Sequence, residues 1–453
     1  MPAQRKIDLV LESVRRLLRV GAIPNLLNLL QKQHPADLAQ IFAELPEKER
    51  HAVFNTLVEK NGRLAMEALS ELGPEKGGEL LALRPAEEIA RLIQEIPSDD
   101  AAVLIDELPE DLSRAVLELV RPKPGGGVSE LLEYEENTAG RLMNPNVFAL
   151  PEGLTAGEAI TALQAARDVE MVFYLYITDE RRHLVGVVSL RRLLLVPPDT
   201  PLKRIVTTDV YTARVDTDQE EVAAQVASYN LLAIPVVDEE NKLVGVVTVD
   251  DVIDVIKDEA TEDVYRLAGV SRADGALTPP MDSLRRRLPW LLVNLGTAFI
   301  AAFVVSRFET TLAQVVALAF YMPIVAGMGG NAATQTLAVT VRGLALGELT
   351  WANARQALFK EGLVGLGNGV VIGATAAVLV GVTHDWMLGL ILGLAMVTNM
   401  LVAATAGTLI PLGLRAANID PALASSVFIT TLTDVFGFLS FLGLATIFLR
   451  FLT

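Results

Sequence analysis

The sequence predicts a multidomain chain: an α-helical superhelix, then a tandem α/β repeat, then an α-helical transmembrane bundle of five spans. Three observations predict this. Proline followed by acids recurs through the first 125 residues. The pentapeptide LVGVV occurs twice, at Leu184–Val188 and Leu243–Val247. From Leu284 onward the chain is long, apolar and almost free of charge. At 453 residues it is also too long for one domain.

Residues 1–127 read as the helical superhelix. Short helices start at proline with acids in the first turn, where they favour the helix dipole. The cases are His34-Pro35-Ala36-Asp37, Arg84-Pro85-Ala86-Glu87-Glu88 and Ile96-Pro97-Ser98-Asp99-Asp100. Such recurrence suggests stacked repeats. A Pro/Gly linker, Arg121–Gly127, is expected to end the domain. The opening MPAQRKIDLVLESVRRLLRV has no apolar signal core, so this region is expected in the cytosol.

Residues 128–258 contain the repeat. Each LVGVV follows a strand-like run, YLYITDERRH or AIPVVDEENK, and precedes a helix opened by Ser189 or Thr248. Helical patterns lie upstream, at Thr155–Ala166 and Gln219–Tyr229. Two β–α–β–β–α units that need each other to bury a core are the natural reading. Here the sequence resembles a pair of CBS modules. In that superfamily the Asp that ends the pattern after the last strand often holds a nucleotide ribose. Asp251 fits that role in the second copy, but Arg192 stands there in the first. Nucleotide binding and a pair that only dimerises and moves both stay open.

A charged helix follows and leads, over 259–283, toward the membrane. Asp251, Asp254 and Asp258 are spaced by three and four, so they share one face. Like charges there repel unless solvent or cations neutralise them.

Composition divides the chain electrically. After residue 283 there are nine Lys/Arg and six Asp/Glu, leaving 29 basic and 49 acidic residues before it. The front is therefore near −20 and the back near +3, for a total of −17. That charge argues against nucleic acid, whose phosphates need Lys and Arg. With no cysteine, disulfides and thiolate metal sites are excluded. Four histidines, at 34, 51, 183 and 384, make a zinc site improbable. No nucleophile–base set or P-loop is visible, so an enzyme is not expected.

Five apolar stretches fill residues 284–453: 286–306, 312–341, 357–382, 386–413 and 421–449. About 20 apolar residues span a bilayer. Lys and Arg favour the cytoplasmic side. Arg285, Arg286, Arg287, Arg342, Arg355, Lys360 and Arg415 fall on one side, against Arg307 and Arg450 on the other. The N-terminus is then inside the plasma membrane and the C-terminus outside. Small residues along Gly362–Gly373 allow close helix packing.

Two membrane features look functional. Pro323 and Gly329-Gly330-Asn331 are expected to break span two and expose carbonyls, lining a pore or packing as a kink. Asp434 reads as the only carboxylate well inside a span. An intramembrane acid is a functional hypothesis by default.

Taken together, the chain resembles the bacterial MgtE magnesium-channel family over nearly its whole length. The matching runs are Glu135–Met143 (EENTAGRLM), Asp218–Ala223 (DQEEVA), Thr248–Val255 (TVDDVIDV) and Ala260–Val270 (ATEDVYRLAGV). In the membrane part they are Ala319–Thr336 (AFYMPIVAGMGGNAATQT), Asn418–Leu423 (NIDPAL) and Thr431–Phe438 (TLTDVFGF). The resemblance implies a homodimer with one axial pore built by spans two and five. It implies that Asp434 is the selectivity carboxylate, helped by backbone near Thr430, and that Gly329, Gly330 and Asn331 line the pore. Asp420 matches an acid at the inner mouth. Asp251, Asp254, Glu259, Glu262 and Asp263 match cytosolic metal-sensing positions, as do Asp218 and Glu220 in the CBS pair and Asp99 in the helical domain. The stretch after Glu259 matches a connecting helix that plugs the pore.

Two positions depart from the pattern: Asn230 and Val103 stand where acids are expected. The implied function is Mg2+ uptake, closed by cytosolic Mg2+ bound between acidic domains. The competing readings are a coupled divalent-cation transporter and a membrane-anchored, nucleotide-sensing CBS protein.

Overall fold

The computed structural model describes residues 2–120, 127–166, 173–271, 274–275, 278–417, 419–421 and 425–452. The expected linker Arg121–Gly127 lies outside them except for Gly127, as do Asn418, Ala422 and Leu423 of the NIDPAL run. The chain forms two compact units, Met1–Ile256 and Lys257–Thr453.

The first unit opens with helices α1 (Pro2–Val20), α2 (Ile23–Leu30), α3 (Pro35–Glu44), α4 (Glu47–Val58), α5 (Gly62–Leu72), α6 (Pro74–Leu81), α7 (Ala86–Ile93), α8 (Ser98–Asp106) and α9 (Glu110–Leu119). Proline sets many of the starts. Pro35 is the first residue of α3, and Pro46, Pro85, Pro97 and Pro109 immediately precede α4, α7, α8 and α9. First-turn acids follow, including Asp99 and Asp100 in α8. Alternate helices pack together, α3 on α5, α5 on α7, α7 on α9 and α6 on α8. That stacking is what short amphipathic repeats need to bury their apolar faces.

Short helices α10 (Val128–Leu131) and α11 (Ala139–Leu142) lead into the repeat. Its copies are β1 (Ala149–Pro151), α12 (Ala156–Ala165), β2 (Tyr174–Thr178), β3 (Leu184–Ser189), α13 (Leu190–Leu195), then β4 (Ala213–Arg214), α14 (Gln219–Tyr229), β5 (Ala233–Val237), β6 (Leu243–Thr248), α15 (Val249–Leu267). Each sheet is three-stranded, with a parallel pair followed by an antiparallel one. The register irregularity recurs at equivalent places, between Ile177 and Thr178 and between Val236 and Val237. Asp179 and Asp238 cap the same turn in each copy, and the two turns pair through Leu184 N to Asn241 O and Leu243 N to Arg182 O.

The cores are unequal. The first copy has its own, around Leu175, Ile177, Val188 and Leu193. The second copy shares one continuous core with α1–α9, through Val128, Leu131, Ala139 and Met143. Met143 fills the space over Gly245, where a Cβ would lie 2.3 Å from its sulfur. The EENTAGRLM run is this joint. Ala139 N donates to Thr217 O, Gly140 N donates to Val215 O, and a side chain at Gly140 would strike the Tyr134 ring.

The last CBS helix and the expected connecting helix are one element: α15 runs unbroken past residue 258 to Leu267. Gly269, with φ +69°, turns the chain against Trp290. Buried Asp274 then accepts from Ser283 and Arg287. The long helices of the second unit are α16 (Pro280–Ser306), α18 (Ala317–Ala345), α19 (Ala354–Thr383), α20 (Trp386–Ala416) and α21 (Ser425–Ile447), with a short α17 (Glu309–Gln314) between the first two.

Among the described residues, four helices are long and apolar enough to cross a membrane: α16, α19, α20 and all of α21 but its first residue. The remaining expected span, α18, is 29 residues long but carries Asn331, Thr334, Gln335, Thr336, Thr340 and Arg342. It starts at Ala317 rather than 312, because α17 ends at Gln314 and is tied to α21 by Thr311 and Thr446 hydroxyls 2.8 Å apart. The small residues work as expected. Gly365, Gly369 and Gly373 line one face of α19, where added methyl groups would lie within 3 Å of α20 atoms.

Candidate functional site

In the second unit, α21 presents Thr430 and Asp434 four residues apart, hence on one face. Thr430 Oγ1 turns back to the carbonyls of Ser426 and Val427, and its own carbonyl accepts from Thr433. Asp434 is half-buried and has no hydrogen bond or ion pair among the described residues. An ionised carboxylate in that position lacks a protein partner and invites a cation or water.

Span two differs from expectation. Pro323 and the glycines do not break it; α18 is continuous. The Val325 carbonyl, two residues past the proline, instead accepts a 2.9 Å hydrogen bond from Asn399 Nδ2 of α20. Gly329 is buried against the same amide, while Asn331 is exposed on the other side of the helix. Gly330 lies between them, its carbonyl accepting the Thr334 hydroxyl at 2.9 Å.

Asp434 is not the only carboxylate inside a membrane helix. Glu361, eighth residue of α19, is 6% exposed, accepts from Thr336 Oγ1 of α18 at 3.4 Å and pairs with Lys360. The sequence signal was there, but a Lys360–Glu361 pair near a span end reads as interfacial charge. At the head of the bundle, Arg266 of α15 pairs with both Glu262 and Asp420. Asp263 sits alongside, its carboxyl raised by burial and then by Glu259.

In the first unit the structure brings Asp99 and Asp251 together. Burial pushes Asp99 well above the usual carboxylate range, and repulsion from Asp251 adds to it. Asp251 is pushed up to about 6, mainly by burial, against hydrogen bonds from Thr248 Oγ1 and N. Asn144 Nδ2 lies 3.4 Å from Asp99 Oδ1. The donor set is all oxygen with one amide, which suits a hard divalent cation. Neutralising two acids that resist ionisation is what such a cation would supply.

Of the other expected sensing residues, Asp254 lies near Asp251 on α15, and its charge adds to the rise of the Asp251 carboxyl. Asp218 is the N-cap of α14, accepting from Glu220 N at 2.8 Å, and both side chains are exposed. Asp254 is exposed, and Glu259 is partly buried on α15. Among the described residues no three acids or histidines converge as a metal cage. The two departures have physical reasons or none. Asn230 ends α14 in the left-handed region, φ 50° and ψ 45°, a helix-ending conformation that Asn tolerates. Val103 is simply exposed on α8.

A divalent cation transporter family model matches residues 322–444, an MgtE intracellular N domain matches 33–137, and CBS domains match 139–201 and 202–258. The magnesium transporter MgtE of Thermus thermophilus is 36% identical over 97% of this chain and 98% of its own. That of Bacillus subtilis is 35% identical over 96% of each. Among solved structures, the soluble part of a magnesium transporter (TM-score 0.51, 30% identity) covers 56% of this chain and 99% of its own. The cytosolic domain of the Mg2+ channel MgtE in complex with ATP (TM-score 0.51, 38% identity) covers 54% and 99%. With relatives matched end to end and each module in the same order, this chain belongs to the MgtE family of divalent cation transporters.

Proposed function

We propose that this chain carries Mg2+ across the plasma membrane as a homodimeric channel closed by cytosolic Mg2+. The observation that carries the reading is Asp434, a half-buried carboxylate in an apolar helix with no partner among the described residues. Mg2+ sheds water reluctantly and is usually held by one or two carboxylates with most waters kept. One Asp434 from each of two subunits meets that need while still letting the ion leave. Thr430, Gly330 and Asn331 complete the proposed lining, whereas Gly329, expected there from the sequence, is buried against Asn399 on the side of α18 away from Asn331.

All five long helices are taken as spans, with α18 polar because it faces the ion path. Five spans put the N-terminus in the cytoplasm and the C-terminus outside. The modules are then the helical domain to residue 127, the CBS pair to 258, a connecting stretch to 283 and the pore domain.

Closure rests on the acids. Mg2+ at Asp99 and Asp251, and along Asp254, Glu259, Glu262, Asp263 and Asp420, would hold acidic surfaces together that otherwise repel. Asp218 and Glu220 would add a weaker site on the exposed start of α14. This is a ligand that favours one of two states by binding it better. One solved relative holds ATP. Here Asp251 matches a ribose-binding carboxylate in one copy and Arg192 replaces it in the other, so a nucleotide would share Asp251 with the cation.

The test is Mg2+ entry into proteoliposomes at low and high internal Mg2+. Passive entry that falls at high internal Mg2+ supports the reading. Entry driven only by a proton gradient would favour a coupled carrier, and no entry would favour a CBS sensor without flux.

A further inference from the structure

Asn399 lies in the middle of α20 and is 1% exposed. Its Nδ2 donates to the Val325 carbonyl of α18 at 2.9 Å. The same amide fills a slot between two glycines on different helices. A Cβ at Gly329 of α18 would lie 2.2 Å from Nδ2, and one at Gly437 of α21 would lie 2.7 Å from it. Its Oδ1 is buried without a hydrogen-bond partner among the described residues. An unmet buried acceptor costs free energy, and a leucine here would avoid that cost. Packing alone therefore does not account for an amide at 399.

We propose that Asn399 is a positioning residue for the ion path. It fixes α18 against α21 so that Asn331 and Asp434 meet the ion at a set depth. Gly437 is one turn beyond Asp434, so the Asn399 contact fixes the height of the carboxylate. Gly329 is two residues before Asn331, about 200° round the helix, so pressing Gly329 onto the amide turns Asn331 away from α20. Two helices bearing proposed lining residues are thus indexed to one side chain on a third. This rests on the transport reading, since it assigns Asn399 a part in selecting the ion that the path carries.

The test measures initial Mg2+ entry against external Mg2+ in proteoliposomes, together with the ratio of Mg2+ to Ca2+ entry. The proteins are wild type, Asn399→Ala, Gly329→Ala and the double variant. Asn399→Ala is expected to raise the half-saturating Mg2+ concentration about fivefold, the scale of one interhelical hydrogen bond, and to lower the Mg2+ to Ca2+ ratio. Gly329→Ala is expected to be harmful alone, by collision with the amide, and nearly harmless once Asn399 is Ala. Wild-type half-saturation and ratio in Asn399→Ala overturn the proposal. So does Gly329→Ala that is equally harmful in both backgrounds. If Asn399→Ala is not recovered folded, Gly437→Ala presses on the intact amide from the other helix. The same shift is expected there, and wild-type values overturn the proposal. A wild type that carries no Mg2+ overturns the transport reading, and this role with it.

Discussion

Arg266, in the last turn of α15, pairs with the carboxylate of Asp420 in the turn before α21. It also pairs with Glu262, one turn back on its own helix. Both acids belong to the proposed cation-sensing set, so the guanidinium neutralises what Mg2+ would otherwise have to neutralise.

Removing Arg266 should leave closure dependent on Mg2+ alone. Partly exposed ion pairs are worth up to about 1 kcal/mol each. The pair with Asp420 is the one that joins two elements, so Arg266→Gln is expected to raise the internal Mg2+ needed for half-suppression of flux by up to about fivefold. A midpoint that stays put or falls would contradict the clasp.

Asp99 and Asp251 give the first unit a pH signature. Both fold into sites that raise their carboxyl pKa, Asp251 to about 6. The folded state therefore holds protons that the unfolded state, with carboxyls near about 4, has lost. Stability contributed by these groups is fullest below about pH 4 and falls as pH rises through about 6. A cation at the pair offsets that loss. Mg2+ should thus raise the melting temperature of the full-length protein in detergent more at pH 8 than at pH 5. Asp99→Asn should remove most of the difference. Equal shifts at both pH values would remove Mg2+ from this pair.

Asp274 anchors the start of the membrane unit. It is 3% exposed and accepts from Ser283 and Arg287. Asp274→Ala leaves both donors without their acceptor, at a cost of roughly 1–3 kcal/mol. A lower melting temperature in detergent is expected, with a smaller drop for Asp274→Asn. An unchanged melting temperature for Asp274→Ala would mean the anchor does not stabilise the fold.

Much of the fold was legible because its signals are local. Proline and acids marked the starts of α3, α7 and α8, and the two LVGVV runs predicted two sheets that match even in their irregularities. What escaped depends on partners distant in sequence. Pro323 and its glycines read as a helix break, yet the segment stays helical, with Asn399, 74 residues on, taking the Val325 carbonyl. Glu361 carries no local signal of its burial, because the Thr336 hydroxyl beside it comes from another helix. Asn230 read as a lost acid because nothing in the sequence displays its left-handed backbone. The pairing of Asp99 with Asp251 joins residues 152 apart, and only the shared core of α1–α9 and the second CBS copy brings them together.

The most direct test of the ion path is Mg2+ entry into proteoliposomes holding Asp434→Asn. Asparagine keeps the shape and removes the charge that a hydrated Mg2+ needs opposite it. With internal Mg2+ low, the account predicts entry reduced to the level of empty liposomes, while the variant is recovered folded and in wild-type amount. Entry at the wild-type rate would show that the ion does not pass Asp434.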